Sequence, residues 1–322
     1  MEVELGAPAM RIGVIFPGQG SQFVGMGGAL AERSPVAAAL YERANEIVGY
    51  DLRGIVERGP EELLRETHYS QPAIFLVNCA LFAAVGDVLR PVASAAHSFG
   101  EYCSLTVAGA LTFGEALRLV NERSLAMQAA AEQAPGAMSA VLGLDTERLR
   151  RVVEKARGDG RVQLANFNSP GQIVISGDRS AVRRAGELAL EAGAKRVVAL
   201  NVSGAWHSEL MLPARERFAP FVEAAHFELP SLTVVSNVDA QPYRDVPAMK
   251  RNLIRSVTDE VLWHETSLRL LEERLDLVVE FGGSPVLWPM LKRLPNAPEG
   301  LHVGDFDAVE RLAAKLAAKA AV

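Results

Sequence analysis

Cysteine is almost missing from this chain: Cys79 and Cys103 are the only two among 322 residues. Two thiols cannot build a disulfide framework or a zinc site of the usual spacing, so a reducing, cytoplasmic setting is expected, with no metal. Charge of one sign is also missing as a block. The 33 basic and 39 acidic residues leave a net charge of -6 spread along the chain. That distribution lacks the basic footprint a phosphate backbone requires, so no nucleic-acid partner is expected. No uninterrupted apolar run reaches about 18 residues, the length of a membrane span. The opening MEVELGAPAMRIG has neither the basic start nor the apolar segment of a signal peptide, so neither export nor membrane association is expected. Internal repeats are absent, and the one biased tract is the Ala/Lys-rich C-terminal turn.

What is present is a hydrophobic fraction of 49%, enough for a large core in one elaborated domain or two unequal ones. Residues 1–10 read as a leader, because residues 11–16 form the earliest good strand. Its Ile12, Val14, Ile15 and Phe16 are nearly continuous in apolar character, as in a parallel sheet covered on both faces. Pro17-Gly18-Gln19-Gly20-Ser21 stops it. Helices are expected over residues 36–48 and 70–89, the second with Pro72 in its first turn. A short apolar strand at 92–96 leads through a turn at 97–100 into a helix at 101–108, and Thr112 caps a helix running to about 132.

From residue 137 the pattern changes. Strands at 138–142, 162–166, 172–176 and 196–200 alternate with helices at 146–156 and 180–191, giving the β-α-β-β-α-β order of a ferredoxin-like unit. Buried strands resume at 232–236 and 275–281, with 301–303 as the last. The expected class is therefore α/β, a parallel-sheet domain of residues 1–135 and 203–322 interrupted by a small ferredoxin-like subdomain at 136–202.

Within the first half, Ala96-His97-Ser98-Phe99-Gly100 nearly matches G-x-S-x-G, the strand-to-helix turn that projects a serine hydroxyl as a nucleophile. Ala96 replaces the first glycine and still meets the demand for a small residue where helix passes strand. The turn aims the N-terminus of the next helix at Ser98, where free N–H groups stabilise developing negative charge. A serine nucleophile needs a base, and six histidines are available: His68, His97, His207, His226, His264 and His302. His302 follows Glu280, so Ser98-Glu280-His302 is one candidate triad. His207, in the small-residue turn Val202-Ser203-Gly204-Ala205-Trp206-His207-Ser208, is the other. Gly18-Gln19-Gly20 does not make a dinucleotide fingerprint, because Gly25 comes too late for G-x-G-x-x-G.

Ala116, Val120, Arg123 and Met127 follow i, i+4, i+7, i+11 spacing, which sets a guanidinium on an otherwise apolar helix stripe. A buried cation needs a partner. Either an internal carboxylate supplies it, or the arginine holds an anionic ligand through its planar fork.

Phe16-Pro17-Gly18-Gln19-Gly20-Ser21-Gln22, His97-Ser98-Phe99-Gly100-Glu101-Tyr102 and Ser203-Gly204-Ala205-Trp206-His207-Ser208 resemble, in order and spacing, the malonyl-CoA:acyl carrier protein transacylases. Asn166-Phe167-Asn168-Ser169-Pro170-Gly171 and Phe281-Gly282-Gly283-Ser284-Pro285-Val286 also look like that family, so the resemblance runs from Arg11 onward. It implies an α/β-hydrolase-like core with a ferredoxin-like insertion. Ser98 would be the nucleophile and His207 the base, with the backbone N–H groups of Gln19 and Phe99 as the oxyanion hole. The imidazole would be oriented by a backbone carbonyl near Arg255-Ser256, and Arg123 would grip the free carboxylate of a malonyl group. Trp206 stands where the family commonly has Phe; a bulkier ring there narrows the pocket and favours malonyl over methylmalonyl.

The resemblance further implies malonyl-CoA as donor and the phosphopantetheine thiol of an acyl carrier protein as acceptor, in fatty acid or polyketide biosynthesis, with no cofactor. A monomer is expected. Lys292 and Arg293 are candidate contacts for an acidic carrier. A thioester hydrolase with the same Ser98 and His207 is the alternative, and a noncatalytic docking module a third.

Overall fold

The computed structural model describes residues 10–320, so all but the last residue of the expected leader lies outside it. Nine strands organise the described chain: β1 Ile12–Phe16, β2 Pro91–Ala96, β3 Gly136–Leu142, β4 Val162–Ser169, β5 Gln172–Asp178, β6 Arg196–Ala199, β7 Thr233–Val235, β8 Leu277–Phe281 and β9 Glu299–Val303. Five of them form a parallel sheet in the order β7-β2-β1-β8-β9. The protein is thus a mixed α/β fold built on a parallel sheet.

The apolar character of β1 and β8 follows from burial on both faces. Ile12, Val14 and Phe16, with Leu277, Val279 and Phe281, enter the main core. The alternate residues Ile15 and Val278 enter a separate cluster on the opposite face with Trp263, Leu287 and Leu291. Side chains alternate with period two, so a strand covered on both sides has no polar face to show. The other four strands form an antiparallel sheet in the order β4-β5-β3-β6, with a hydrophobic cluster of its own beneath the helices Thr146–Ala156 and Arg179–Glu191. Strands β4 and β5 run longer than the sequence pattern indicated, because the hairpin closes at Ser169 and Gln172 with Gly171 at φ 72°. A two-residue connection with glycine in the left-handed region lets pairing continue to the turn.

Helix Thr67–Val85 starts three residues before the expected position, so Pro72 lies inside it rather than in its first turn. The missing N–H of Pro72 leaves the carbonyl of His68 without its helical donor. Ser124 answers this: its hydroxyl sits 3.1 Å from that carbonyl, sharing its proton with Asn121 O at 2.7 Å. With the turn that follows, this helix (Thr67–Val88) is long and apolar enough on average to cross a bilayer, but 67% of its most apolar window is buried in the fold. Three short helices did not show in the pattern: Leu52–Arg58 and Glu61–Arg65 pack on it, and Leu30–Arg33 packs on helix Pro35–Val48. They are too brief to display a helical period.

Candidate active site

Parallel strands deliver their C-terminal ends to one edge of the sheet, and loops there collect functional side chains. β2 ends at Ala96, and Ser98 follows at φ 55°. A non-glycine residue in the left-handed region costs roughly 1–3 kcal/mol and persists only where its surroundings enforce it. Part of the enforcement is steric. A Cβ on Gly100 would stand 2.6 Å from Phe16 O, 3.0 Å from Pro17 O and 3.3 Å from the Ala96 Cβ. Gly100 is therefore obligatory, whereas alanine is accommodated at 96 because the residue opposite it has no side chain. On the other side, a Cβ on Gly18 would meet His97 O at 2.7 Å, so the loop after β1 lies directly on the serine turn.

His207 also occupies the left-handed region, at φ 57°. Its Nε2 is 2.9 Å from Ser98 Oγ, and its Nδ1 is 3.2 Å from Asp259 O. A carbonyl only accepts, so Nδ1 carries the ring hydrogen and Nε2 presents its lone pair to the serine hydroxyl. The orienting carbonyl is that of Asp259, just beyond the expected Arg255-Ser256 region, and the Ser256 carbonyl also favours the protonated ring. The turn after helix Val246–Arg255 brings both carbonyls to the ring. Burial, reinforced by the positive charge of Arg123 and by His97, drives the imidazole down to about 3, so it rests neutral.

The alternative triad does not assemble. Glu280 accepts the N–H groups of Val286, Leu287 and Trp288 at 2.7–2.8 Å, capping the next helix, and His302 Nε2 bonds Gly282 O at 2.8 Å. Both side chains are spent on the β8 loop.

Arg123 is fully buried and forms no salt bridge among the described residues. Its Nη1 donates to Gln71 Oε1 at 2.7 Å, its Nη2 to Ser98 Oγ at 3.4 Å, and its Nε has no partner. Burial lowers the guanidinium to about 10, against the opposing influence of Tyr102 and Glu101, so it remains a cation at neutral pH. A charged, under-bonded guanidinium touching the serine is suited to an anionic ligand.

A cavity of about 410 Å³ opens onto Ser98 and His207, lined also by Gln19, Gln71, Met127 and Trp206. Trp206 is 5% exposed, and its ring folds back where a Cβ on Gly204 would lie 2.5 Å away. The Gln19 side chain donates to Thr67 Oγ1 at 3.2 Å, fixing the loop. The main-chain N–H groups of Gln19 and Phe99 make no hydrogen bond to protein among the described residues. His97, at the rim, bonds Asn168 of the antiparallel sheet at 3.0 Å and is lowered by burial to about 4.

Several polar residues at the site escaped the sequence reading. Gln71 in the cavity lining, and Asn78, which donates to Pro17 O just past the end of β1, interrupt an apolar helix, a signal that was visible. Asn237, just past β7, gave none: its Oδ1 accepts the Ser98 N–H at 3.1 Å and its Nδ2 donates to Ser98 O at 3.3 Å. Glu101 accepts from the Asn237 main-chain N–H at 2.9 Å, from Asn237 Nδ2 and from the Tyr243 hydroxyl.

The acyl transferase domain family matches residues 14–297. The chain is 38% identical over 302 residues to the malonyl CoA-acyl carrier protein transacylase of Bacillus subtilis (strain 168), covering 93% of this chain and 95% of that protein. Among solved structures it matches, at TM-score 0.90 and 36% identity, a malonyl-transacylase in complex with a type II PKS acyl-carrier protein (PlMCAT:AntF), over 95% of this chain and 99% of that one. An acyl carrier protein S-malonyltransferase from Vibrio cholerae O1 biovar eltor matches at TM-score 0.89 and 37% identity, over 94% and 99%. The chain belongs to the acyl transferase family, among the malonyl-CoA:acyl carrier protein transacylases.

Proposed function

We propose that Ser98 carries a malonyl group as an ester between two thiols. The observation that carries this reading is the 2.9 Å contact of Ser98 Oγ with a neutral His207 whose other nitrogen is held by a carbonyl. Ser98 Oγ attacks the thioester carbonyl of malonyl-CoA while its proton passes to His207 Nε2. The C–S bond then breaks, and the departing CoA thiolate takes the proton back. The phosphopantetheine thiol of an acyl carrier protein enters, gives its proton to His207 and attacks the ester carbonyl; the C–O bond to Ser98 then breaks, and His207 returns the proton to the departing Ser98 Oγ. The enzyme is a malonyl-CoA:acyl carrier protein S-malonyltransferase with ping-pong kinetics, serving fatty acid or polyketide biosynthesis.

The N–H groups of Gln19 and Phe99 form the oxyanion hole in this reading, supported by their lack of protein acceptors and by the packing of Gly18 on His97. Arg123 binds the malonyl carboxylate, supported by its unpaired buried charge beside Ser98. Trp206 walls the acyl pocket and disfavours a methyl branch, supported by its place in the cavity lining. Residues 1–135 and 203–322 constitute an α/β-hydrolase-like catalytic domain and 136–202 a ferredoxin-like subdomain, a division supported by the separate sheet and core of the latter. A cytoplasmic location accords with two free, buried cysteines.

Brief exposure to malonyl-CoA followed by intact mass measurement is expected to add one malonyl group to the wild type and none to Ser98→Ala. An unmodified wild type overturns the reading. Timing loss of the adduct with carrier protein and with buffer alone separates transfer from hydrolysis; equal rates would make the chain a thioesterase.

A further inference from the structure

Ser98 is held in its left-handed conformation by more than steric exclusion. Its N–H and its C=O are both taken by one side chain, the amide of Asn237, 139 residues away in sequence. β7 and β2 are parallel neighbours, so residues just past their C-terminal ends meet side by side. An amide that accepts from an N–H and donates to the C=O of the same residue acts as a pseudo-peptide and fixes the local φ and ψ. Only a group with an acceptor and a donor on adjacent atoms does this, so neither a carboxylate nor a hydrocarbon of the same shape can replace it.

The amide itself could turn over, exchanging donor and acceptor, were it not for Glu101. This carboxylate is 2% exposed and accepts from Asn237 Nδ2, which compels the nitrogen to face it and the oxygen to face the Ser98 N–H. The Tyr243 hydroxyl and the Asn237 main-chain N–H hold the carboxylate in turn. The buried acid one turn beyond the serine thus takes no part in proton transfer; it orients the amide.

We infer that Asn237, oriented by Glu101, is a positioning residue for catalysis: it clamps the backbone of Ser98 in the strained conformation that sets Oγ against His207. The inference rests on Ser98 being the nucleophile. Asn237 does not line the cavity, so its loss acts on the reactivity of the serine and not on binding of the donor.

The test compares Asn237→Ala and Asn237→Leu with wild type and with Ser98→Ala, using single-turnover acylation by malonyl-CoA and modification by phenylmethanesulfonyl fluoride. The sulfonyl fluoride reports on serine reactivity without the CoA contacts. Both Asn237 variants are expected to lose about tenfold or more in kcat and in the sulfonylation rate, with KM for malonyl-CoA within about twofold, because the strained conformer is no longer enforced. Circular dichroism confirms folding; should the alanine variant not fold, the space-filling leucine variant decides. Wild-type rates in a folded variant, or a loss confined to KM, would overturn the clamp while leaving the malonyl-serine reading intact. A wild type that is itself not acylated would overturn both.

Discussion

Arg123 shows how one residue's surroundings assign it a chemistry. A guanidinium with no salt bridge among the described residues, one unbonded nitrogen and the Ser98 hydroxyl at 3.4 Å is not a structural ion pair. Arg123→Ala is expected to reduce malonyl transfer by roughly 10- to 150-fold, from the 1.5–3 kcal/mol of a charge-assisted contact, while acetyl transfer falls far less. Parallel assays with both donors check this, and equal losses would assign the arginine to the fold alone. The two histidine candidates are separated in the same way. His207→Ala is expected to slow acylation by at least about 100-fold, the contribution of a positioned base. His302→Ala should leave the acylation rate near wild type, since its ring bonds Gly282 O and not the serine. Rapid-quench measurement of the acyl-enzyme distinguishes them.

At the scale of elements, the site is made by a strand end and the glycines that let other backbone approach it. Gly100→Ala drives a methyl into Phe16 O at 2.6 Å. The overpacking is expected to cost about 1–3 kcal/mol and to displace the loop bearing Gln19, lowering both the melting temperature and the acylation rate. Thermal unfolding with a burst measurement checks both. Element existence was legible because the period of the pattern is local. Helix Thr146–Ala156 stands at the bounds the sequence pattern indicated, and the continuous run of β1 announced a strand covered on both faces. The short helices at Leu30–Arg33 and Glu61–Arg65 were not legible, since about one turn of helix carries no period to detect.

For the whole molecule, the site lies where the two sheets meet. Phe167 N bonds Val261 O and Val261 N bonds Ala165 O, tying β4 to the segment that orients His207, and Gln163 donates to His207 O at 3.2 Å. Burial at that junction sets the acid-base behaviour. His207 accepts a proton only when neutral, and burial disfavours its charged form, so the acid limb of Ser98 acylation should fall well below the usual 6.5, towards about 3. Single-turnover acylation measured across the acid range checks the midpoint. A midpoint at 6.5 would mean that the ring is hydrated during the reaction.

The sequence by itself determined the strand-turn-helix around Ser98, the succession of strands along the chain, and the presence of a cation on an apolar helix stripe. Each of these is written in a local period or a short run of small residues. Residue spacing left the histidine open and the family resemblance named His207; tertiary structure decided that its ring faces the serine, which carbonyl orients it, and that Asn237 and Glu101 hold the serine backbone. The serine's partners His207 and Asn237 lie 109 and 139 residues from it, and Asp259, whose carbonyl holds the ring, lies 52 from His207. Hydrogen-bond geometry over that separation is set by sheet order and chain reversal, and neither leaves a trace in residue spacing.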